Sequence, residues 1–337
     1  MAFYCGIDLH ASNSYVAIVD QEGRDIVCRR VQNRLDVIQA TLQGYRDELV
    51  GVGVESTFNW YWLVDGLMDA GYPIHLLNTT QAETFRNLKY RDDRHDARWI
   101  ATLLRFGVFP DAYILPKEER PYRDLLRRRM LLVQARTRLL QSINSTYQRH
   151  HGRGISTGNV GSWNAEILAS LFPDPAVAES VAVMLPVVRV LERQVRSIEQ
   201  TVEEHAKLRP EFQLLTTAPG IGTILALVIM YETGDIGRFP TVGHYASYCR
   251  CVPSRHVSNG RRKGSGNRKN GNKYLSWAYS EAALHAARVD PRARQWRDRK
   301  RARSHPMVAW RALASKMVRG CYWVLRRQVP FDSDRAF

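Results

Sequence analysis

Residues 2–8, Ala-Phe-Tyr-Cys-Gly-Ile-Asp, read as a short buried strand that ends in an acid. Working outward, Ser14-Tyr-Val-Ala-Ile-Val19 predicts a second strand. The turn Asp20-Gln-Glu-Gly23 follows, then a third strand at Asp25-Ile-Val-Cys-Arg-Arg-Val31, so the chain opens on an antiparallel meander. Residues 34–48 carry Leu35, Ile38, Leu42 and Tyr45 at helical spacing. Val50-Gly-Val-Gly-Val54 predicts a fourth strand running up to Glu55. Trp60–Ala70 predicts a helix with Gly71 as its C-cap, and Ile74-His-Leu-Leu77 a fifth strand. Residues 80–88 and 93–106 read as helices. Three antiparallel strands followed by alternating helix and strand are the order of a ribonuclease H-like α/β fold.

In that fold the first and fourth strands are neighbours, which sets Asp8 beside Glu55. Asp93 and Asp96 are three apart at a helix start and share a helix face. Four converging carboxylates repel one another and are tolerable when cations neutralise them. Mg²⁺ is the expected ion, being hard, oxygen-seeking and content with a few carboxylates plus substrate phosphate. Two such ions can clamp the attacking and leaving oxygens of a phosphodiester. Asp92 is a rival to Asp93. His10 and His95 are placed to tune the site, although each also reads as an ordinary surface or packing histidine. The competing account is a set of strand-end caps with an N-cap pair at Asp92/Asp93.

The chain has 337 residues, enough for about two domains. Forty-nine Lys and Arg against 33 Asp and Glu leave a net charge of +16. The bases crowd into Arg261-Arg262-Lys263, Arg268-Lys269, Arg292 through Arg301, and a basic helix from Arg123 to Arg138. A polyanion is the expected partner, because each phosphate neutralised releases counterions. No stretch approaches the roughly 20 apolar residues of a membrane span, and the first residues lack signal-peptide character. A soluble intracellular protein is expected. Five scattered cysteines argue against a disulfide framework, and Cys249-x-Cys251 lacks zinc-site spacing.

The middle of the chain is helical. Leu126, Met130, Val133, Thr137, Leu140, Asn144 and Tyr147 form a heptad seam with polar breaks at Thr137 and Asn144. A second seam runs through Val188, Leu191, Val195, Ile198 and Val202. The seams fit either two helices of one chain or pairing between chains. Residues 151–163 are Gly-rich and read as a loop. Thr217-Ala-Pro-Gly-Ile-Gly222 resembles a helix-hairpin-helix turn, in which glycines let main-chain N–H groups approach phosphates. Residues 254–273 are polar, basic and Gly-rich, which predicts a loop ordered by a phosphate backbone. Helices resume at Tyr274–Arg288 and near Val308–Arg326.

These stretches together resemble the IS110 family of insertion-sequence transposases, related to the Piv-type DNA invertases. The matching segments are Gly6-Ile-Asp8, Glu55-Ser-Thr, Asp93-Arg-His-Asp-Ala-Arg98 and Ala218-Pro-Gly-Ile-Gly222. Tyr245-Ala-Ser-Tyr-Cys-Arg-Cys251 follows, then Ser258-Asn-Gly260 through Gly271-Asn-Lys-Tyr-Leu275. The resemblance implies a RuvC-like domain carrying a D-E-D-D tetrad at Asp8, Glu55, Asp93 and Asp96. It also implies a C-terminal transposase domain with a nucleophilic serine at Ser258. From the residues alone Ser258 is a turn residue before Asn259-Gly260, and Ser254 and Ser265 are equally placed. The resemblance further implies donor and target DNA as substrates and a structured guide RNA. It implies dimers pairing into tetramers, and a bacterial cytoplasmic, nucleoid-associated location. The chain departs from the family at Glu55-Ser-Thr-Phe-Asn-Trp60 and at Arg91-Asp-Asp93, and keeps the acids at both.

The expected organisation is a RuvC-like domain at 1–120, a helical coiled-coil region at 121–208, and a mainly helical transposase domain at 209–337. The expected activity is cutting and rejoining of DNA through a serine–DNA intermediate. Two alternatives stand beside it: a RuvC-like junction endonuclease that uses water, and a non-catalytic nucleic-acid scaffold.

Overall fold

The computed structural model describes residues 1–82, 93–252, 256–258, 261–264 and 270–337, with backbone only at 159, 256–258 and 262–264. The chain divides into two compact units, Met1–Lys117 and Glu118–Phe337. The middle helical region and the C-terminal region therefore share one unit.

The first unit is built on five strands: β1 (Phe3–Leu9), β2 (Asn13–Asp20), β3 (Asp25–Gln32), β4 (Leu49–Glu55) and β5 (Ile74–Leu77). Their order in the sheet is β3-β2-β1-β4-β5, with β1 antiparallel to β2 and parallel to β4. The helices are α1 (Leu35–Leu42), α2 (Tyr61–Asp69), the single turn α3 (Thr79–Ala82) and α4 (Asp93–Arg105). Strand parity sorts the side chains. Phe3, Cys5, Ile7 and Leu9 of β1, with Val52 and Val54 of β4, join Ile38, Leu42, Leu63 and Leu67 in one apolar core. The alternate residues Gly6, Asp8, Gly53 and Glu55 are left for the opposite face, where α4 packs. The remainder of the helix expected at 80–88, and the rival acid Asp92, lie outside the described residues.

The second unit begins with the 32-residue α5 (Arg120–His151), closed by Gly152 in the left-handed conformation. After it come α6 (Ala165–Leu171), α7 (Pro175–Ala182), α8 (Leu185–Ala206), α9 (Pro210–Leu215), α10 (Thr223–Thr233) and α11 (Val242–Tyr248). A hairpin of β6 (His256–Ser258) and β7 (Arg261–Gly264) leads to α12 (Lys273–Val289), α13 (Pro291–Arg301), α14 (Pro306–Arg327) and α15 (Ser333–Ala336). α5 and α8 pack antiparallel within the chain, tied by Arg129–Glu199 (2.6 Å) and Arg136–Glu192 (3.9 Å). Val188, Val195 and Val202 of the second seam are buried, whereas Thr137 of the first is exposed. The polar break at Asn144 has a local task, since its Oδ1 accepts from Ile155 N at 2.9 Å. α10 is buried along Leu225–Thr233 and forms the centre of the larger core. Arg127 of α5 grips the buried Glu232 of α10 with two bonds of 2.7 and 2.8 Å. Asn272 donates to the same carboxylate at 2.7 Å and caps α12 with its other side-chain atom.

One expectation needs correction, and one glycine has a further task. The stretch 254–273 is not wholly loop: strands β6 and β7 pair antiparallel within it, Ser258 opposite Arg261. The Asn259-Gly260 turn dipeptide and Ser254 and Ser265 lie outside the described residues. The glycine of the Pro219-Gly220 turn is required for packing. Gly220 has φ +79°, and a Cβ there would lie 2.3 Å from Ala286 N and 2.6 Å from Ala282 O of α12. Its bare backbone lets α12 approach, which is a reason independent of phosphate.

Candidate active site

Gly6 brings the four expected carboxylates within reach of one another. A Cβ at Gly6 would fall 2.1 Å from Ala97 O and 2.6 Å from Ala101 N, so α4 rests directly on the β1 backbone. Gly53 repeats the device on β4, where a Cβ would meet Ile100 Cγ2 at 2.7 Å. The register Gly6↔Gly53 and Ile7↔Val54 carries Asp8 and Glu55 to adjacent strand ends on this face. Asp93 and Asp96 occupy the first turn of α4, where the positive end of the helix dipole favours anions.

The electrostatics follow from that crowding. Asp8 is buried, and its pKa is raised to about 8. Burial is the largest cause, followed by a hydrogen bond with Glu55 and the negative charge of Glu55, Asp96 and Asp93. Two carboxyls in hydrogen-bond contact share a proton or require a cation between them.

A histidine stands with the acids. His10, just past β1, directs Nε2 to 3.1 Å from Asp8 Oδ2 and 3.5 Å from Asp93 Oδ1. The nitrogen is enclosed yet makes no hydrogen bond of acceptable angle, so it faces the acids without being satisfied by them. One ligand atom each from Asp8, His10 and Asp93 lie within 4.8 Å of one another. That spread, the nitrogen without a hydrogen-bond partner and the crowding of the acids fit a divalent cation. His10 is held by its backbone: Asn33 Nδ2 donates to its carbonyl at 2.8 Å and Asn59 Nδ2 at 3.0 Å. Asn59 is in turn fixed by Thr57 Oγ1, which donates to its Oδ1 at 2.9 Å.

The expected tetrad is thus brought together in the first unit. Ser258 belongs to the second unit, as the last residue of β6. His10 carries more of the site than the sequence reading allowed. Among the described residues no helix is long and apolar enough to cross a membrane.

Two family models match. One described as "Transposase", the DEDD transposase model of the IS110 group, covers residues 5–151. One described as "Transposase IS116/IS110/IS902 family" covers residues 212–297. A Streptomyces coelicolor protein named "Insertion element IS110 uncharacterized 43.6 kDa protein" is 30% identical over 161 residues, 47% of this chain and 38% of that protein. A Pseudomonas aeruginosa protein named "Probable family 20 transposase" is 24% identical over 96% of both chains. A Coxiella burnetii protein named "Transposase for insertion sequence element IS1111A" is 23% identical over 80% of this chain and 74% of its own. The first of these likenesses takes in well under half of that relative, whereas the second runs nearly end to end. With the two models aligned in order along it, the chain carries transposase domains of the IS110/IS116/IS902 family.

Proposed function

We propose that the chain cuts and rejoins DNA as a divalent-metal recombinase. In this reading Asp8, Glu55, Asp93 and Asp96 form the metal-holding tetrad of a RuvC-like domain and Ser258 is the nucleophile. The observation that carries it is the convergence of the four acids and His10 at one end of the sheet, with Asp8 buried among like charges. Such a cluster destabilises the fold unless it has a cationic partner. Carboxylate oxygens suit Mg²⁺ or Mn²⁺. Bound there, the ion supplies positive charge to the phosphate being cut.

The residues of the chain do the rest. Asp8 and Glu55 on the strands, and Asp93 and Asp96 on α4, fix the ligand oxygens on rigid elements. Asn33 and Asn59 hold His10 against them. The Ser258 hydroxyl attacks phosphorus, an Oγ–P bond forms, and the P–O bond to the departing nucleoside oxygen breaks. The serine gives up its proton and the departing oxygen takes one. One phosphoester replaces another, so rejoining needs no external energy source. The basic second unit supports donor and target DNA as partners, and the family likeness supports a structured guide RNA and a dimer or tetramer.

The test uses DNA carrying the ends of the element that encodes the chain, with RNA transcribed from its noncoding flank. With divalent ion, an SDS-resistant protein–DNA adduct forms. Ser258→Ala abolishes the adduct, and Asp8→Asn abolishes strand cleavage and adduct together. Persistence of the adduct in Ser258→Ala overturns the nucleophile, and cleavage by Asp8→Asn overturns the tetrad.

A further inference from the structure

α14 ends in a left-handed turn at Gln328 (φ +54°), and Val329–Phe337 doubles back along the helix. Gly320 makes the return possible, because a Cβ there would lie 2.2 Å from Phe331 Cε2. Ser333 Oγ donates to Asp290 Oδ2 at 2.8 Å, and Arg292 pairs with Asp334 at 2.6 Å, so the returned segment is fastened at several points. A cavity of about 450 Å³ opens between it and the helix. This volume lies in the range of roughly 300–1,000 Å³ typical of ligand sites.

The lining combines aliphatic residues such as Val324, Val329 and Pro330 with bases and one indole. Lys316, Arg319, Trp323 and Arg327 come from the helix, and Asp332 and Arg335 from the return. Asp332 is taken up by Arg335 at 3.3 Å. Among the described residues no carboxylate pairs with Lys316, Arg319 or Arg327. Trp323 is 43% exposed, with the Arg327 guanidinium 4.4 Å from its ring centroid. A part-exposed indole, with Arg327 over its ring and further cations beside it, is the chemistry of a base-stacking platform beside a phosphate track. A duplex hides the faces of its bases, so only an unpaired strand can use the ring.

We propose that this cleft binds single-stranded nucleic acid, one unstacked base lying against Trp323 while Lys316, Arg319 and Arg327 hold the adjoining phosphates. The choice of ligand rests on the nucleic-acid reading above but not on the carboxylate chemistry.

The experiment uses the full chain and fluorescent oligothymidylate, oligouridylate and an A·T duplex, each of about 10 nucleotides per strand. Anisotropy gives the affinities, and bromouracil-substituted strands are photo-crosslinked and the linked peptide is identified by mass spectrometry. Trp323→Ala weakens single-strand binding by at least about fivefold and leaves duplex binding unchanged, Trp323→Phe retains most of the affinity, and the crosslink falls on the peptide containing Trp323. Greater loss for the DNA strand or for the RNA strand identifies the source of the ligand. Unchanged single-strand affinity in Trp323→Ala, equal loss for the duplex, or a crosslink elsewhere overturns the proposal. Thermal melting checks that Trp323→Ala folds, and Trp323→Phe keeps the test decisive if it does not. The affinities are measured with divalent ions chelated, where the carboxylate site can do no cutting, so the two readings fail separately.

Discussion

His10 differs from the acids around it in the kind of metal it prefers. Carboxylate oxygens suit hard ions such as Mg²⁺, and an imidazole nitrogen shifts preference toward later divalent metals. Its Nε2 stands 3.1 Å from Asp8 and 3.5 Å from Asp93. If it ligates, His10→Ala lowers affinity for Mn²⁺ more than for Mg²⁺. If it only packs, both affinities fall together or neither falls. Calorimetric titration of the two ions into wild type and variant separates these outcomes. The acids themselves were legible as residues because each ends a strand or starts a helix. His10 was less legible because β1 stops at Leu9, and the turn that carries it, His10 N donating to Asn13 O at 3.1 Å, has no sequence signature. Asn33 and Asn59 were invisible for a related reason. They act through side-chain bonds to one carbonyl, from positions 23 and 49 residues away.

Among the elements, the approach of α4 to β1 determines whether a tetrad exists at all. Gly6→Ala places a methyl 2.1 Å from Ala97 O, a backbone atom that moves only if the helix moves. Overpacking of this kind costs about 1–3 kcal/mol or more. Divalent affinity falls with it, because Asp93 and Asp96 ride on the displaced helix. Gly44→Ala is the control, since nothing lies within 4 Å of a Cβ there. Urea midpoints and metal titrations of the two variants test the claim: a large loss in both for Gly6→Ala, near-neutral values for Gly44→Ala. The strands β1, β2 and β4 were readable because buried apolar runs alternate with turn residues, and the mostly exposed β3 because Ile26, Val27 and Val31 follow a turn. The β6–β7 hairpin was not. Its strands, His256–Ser258 and Arg261–Gly264, carry basic and small residues with no apolar alternation. Gly220 has a packing task that was not legible, because a glycine needed for phosphate approach and one needed for helix approach look identical in sequence. Only the backbone of Ala282 and Ala286 opposite it tells them apart.

At the scale of the molecule, the net charge of +16 hides a division of labour. The first unit holds 12 Lys and Arg against 15 Asp and Glu, a net of −3. The second holds 37 against 18, a net of +19. The acidic unit is suited to retain small cations, and the basic unit supplies the attraction for a polyanion. Phosphates neutralised by basic side chains make binding fall with salt, by a slope of about 0.9 per phosphate on duplex DNA in a plot of log affinity against log salt. Arg299, Lys300 and Arg301 at the end of α13 are exposed, and no carboxylate pairs with them among the described residues. Their joint replacement by alanine lowers that slope by as many steps as they make phosphate contacts, up to about 2.7 for all three. Duplex titrations over a range of potassium chloride concentrations check this. An unchanged slope in the triple variant would mean that the charge of α13 serves solubility, leaving α5 and the segment around Arg261 as the DNA-binding surface.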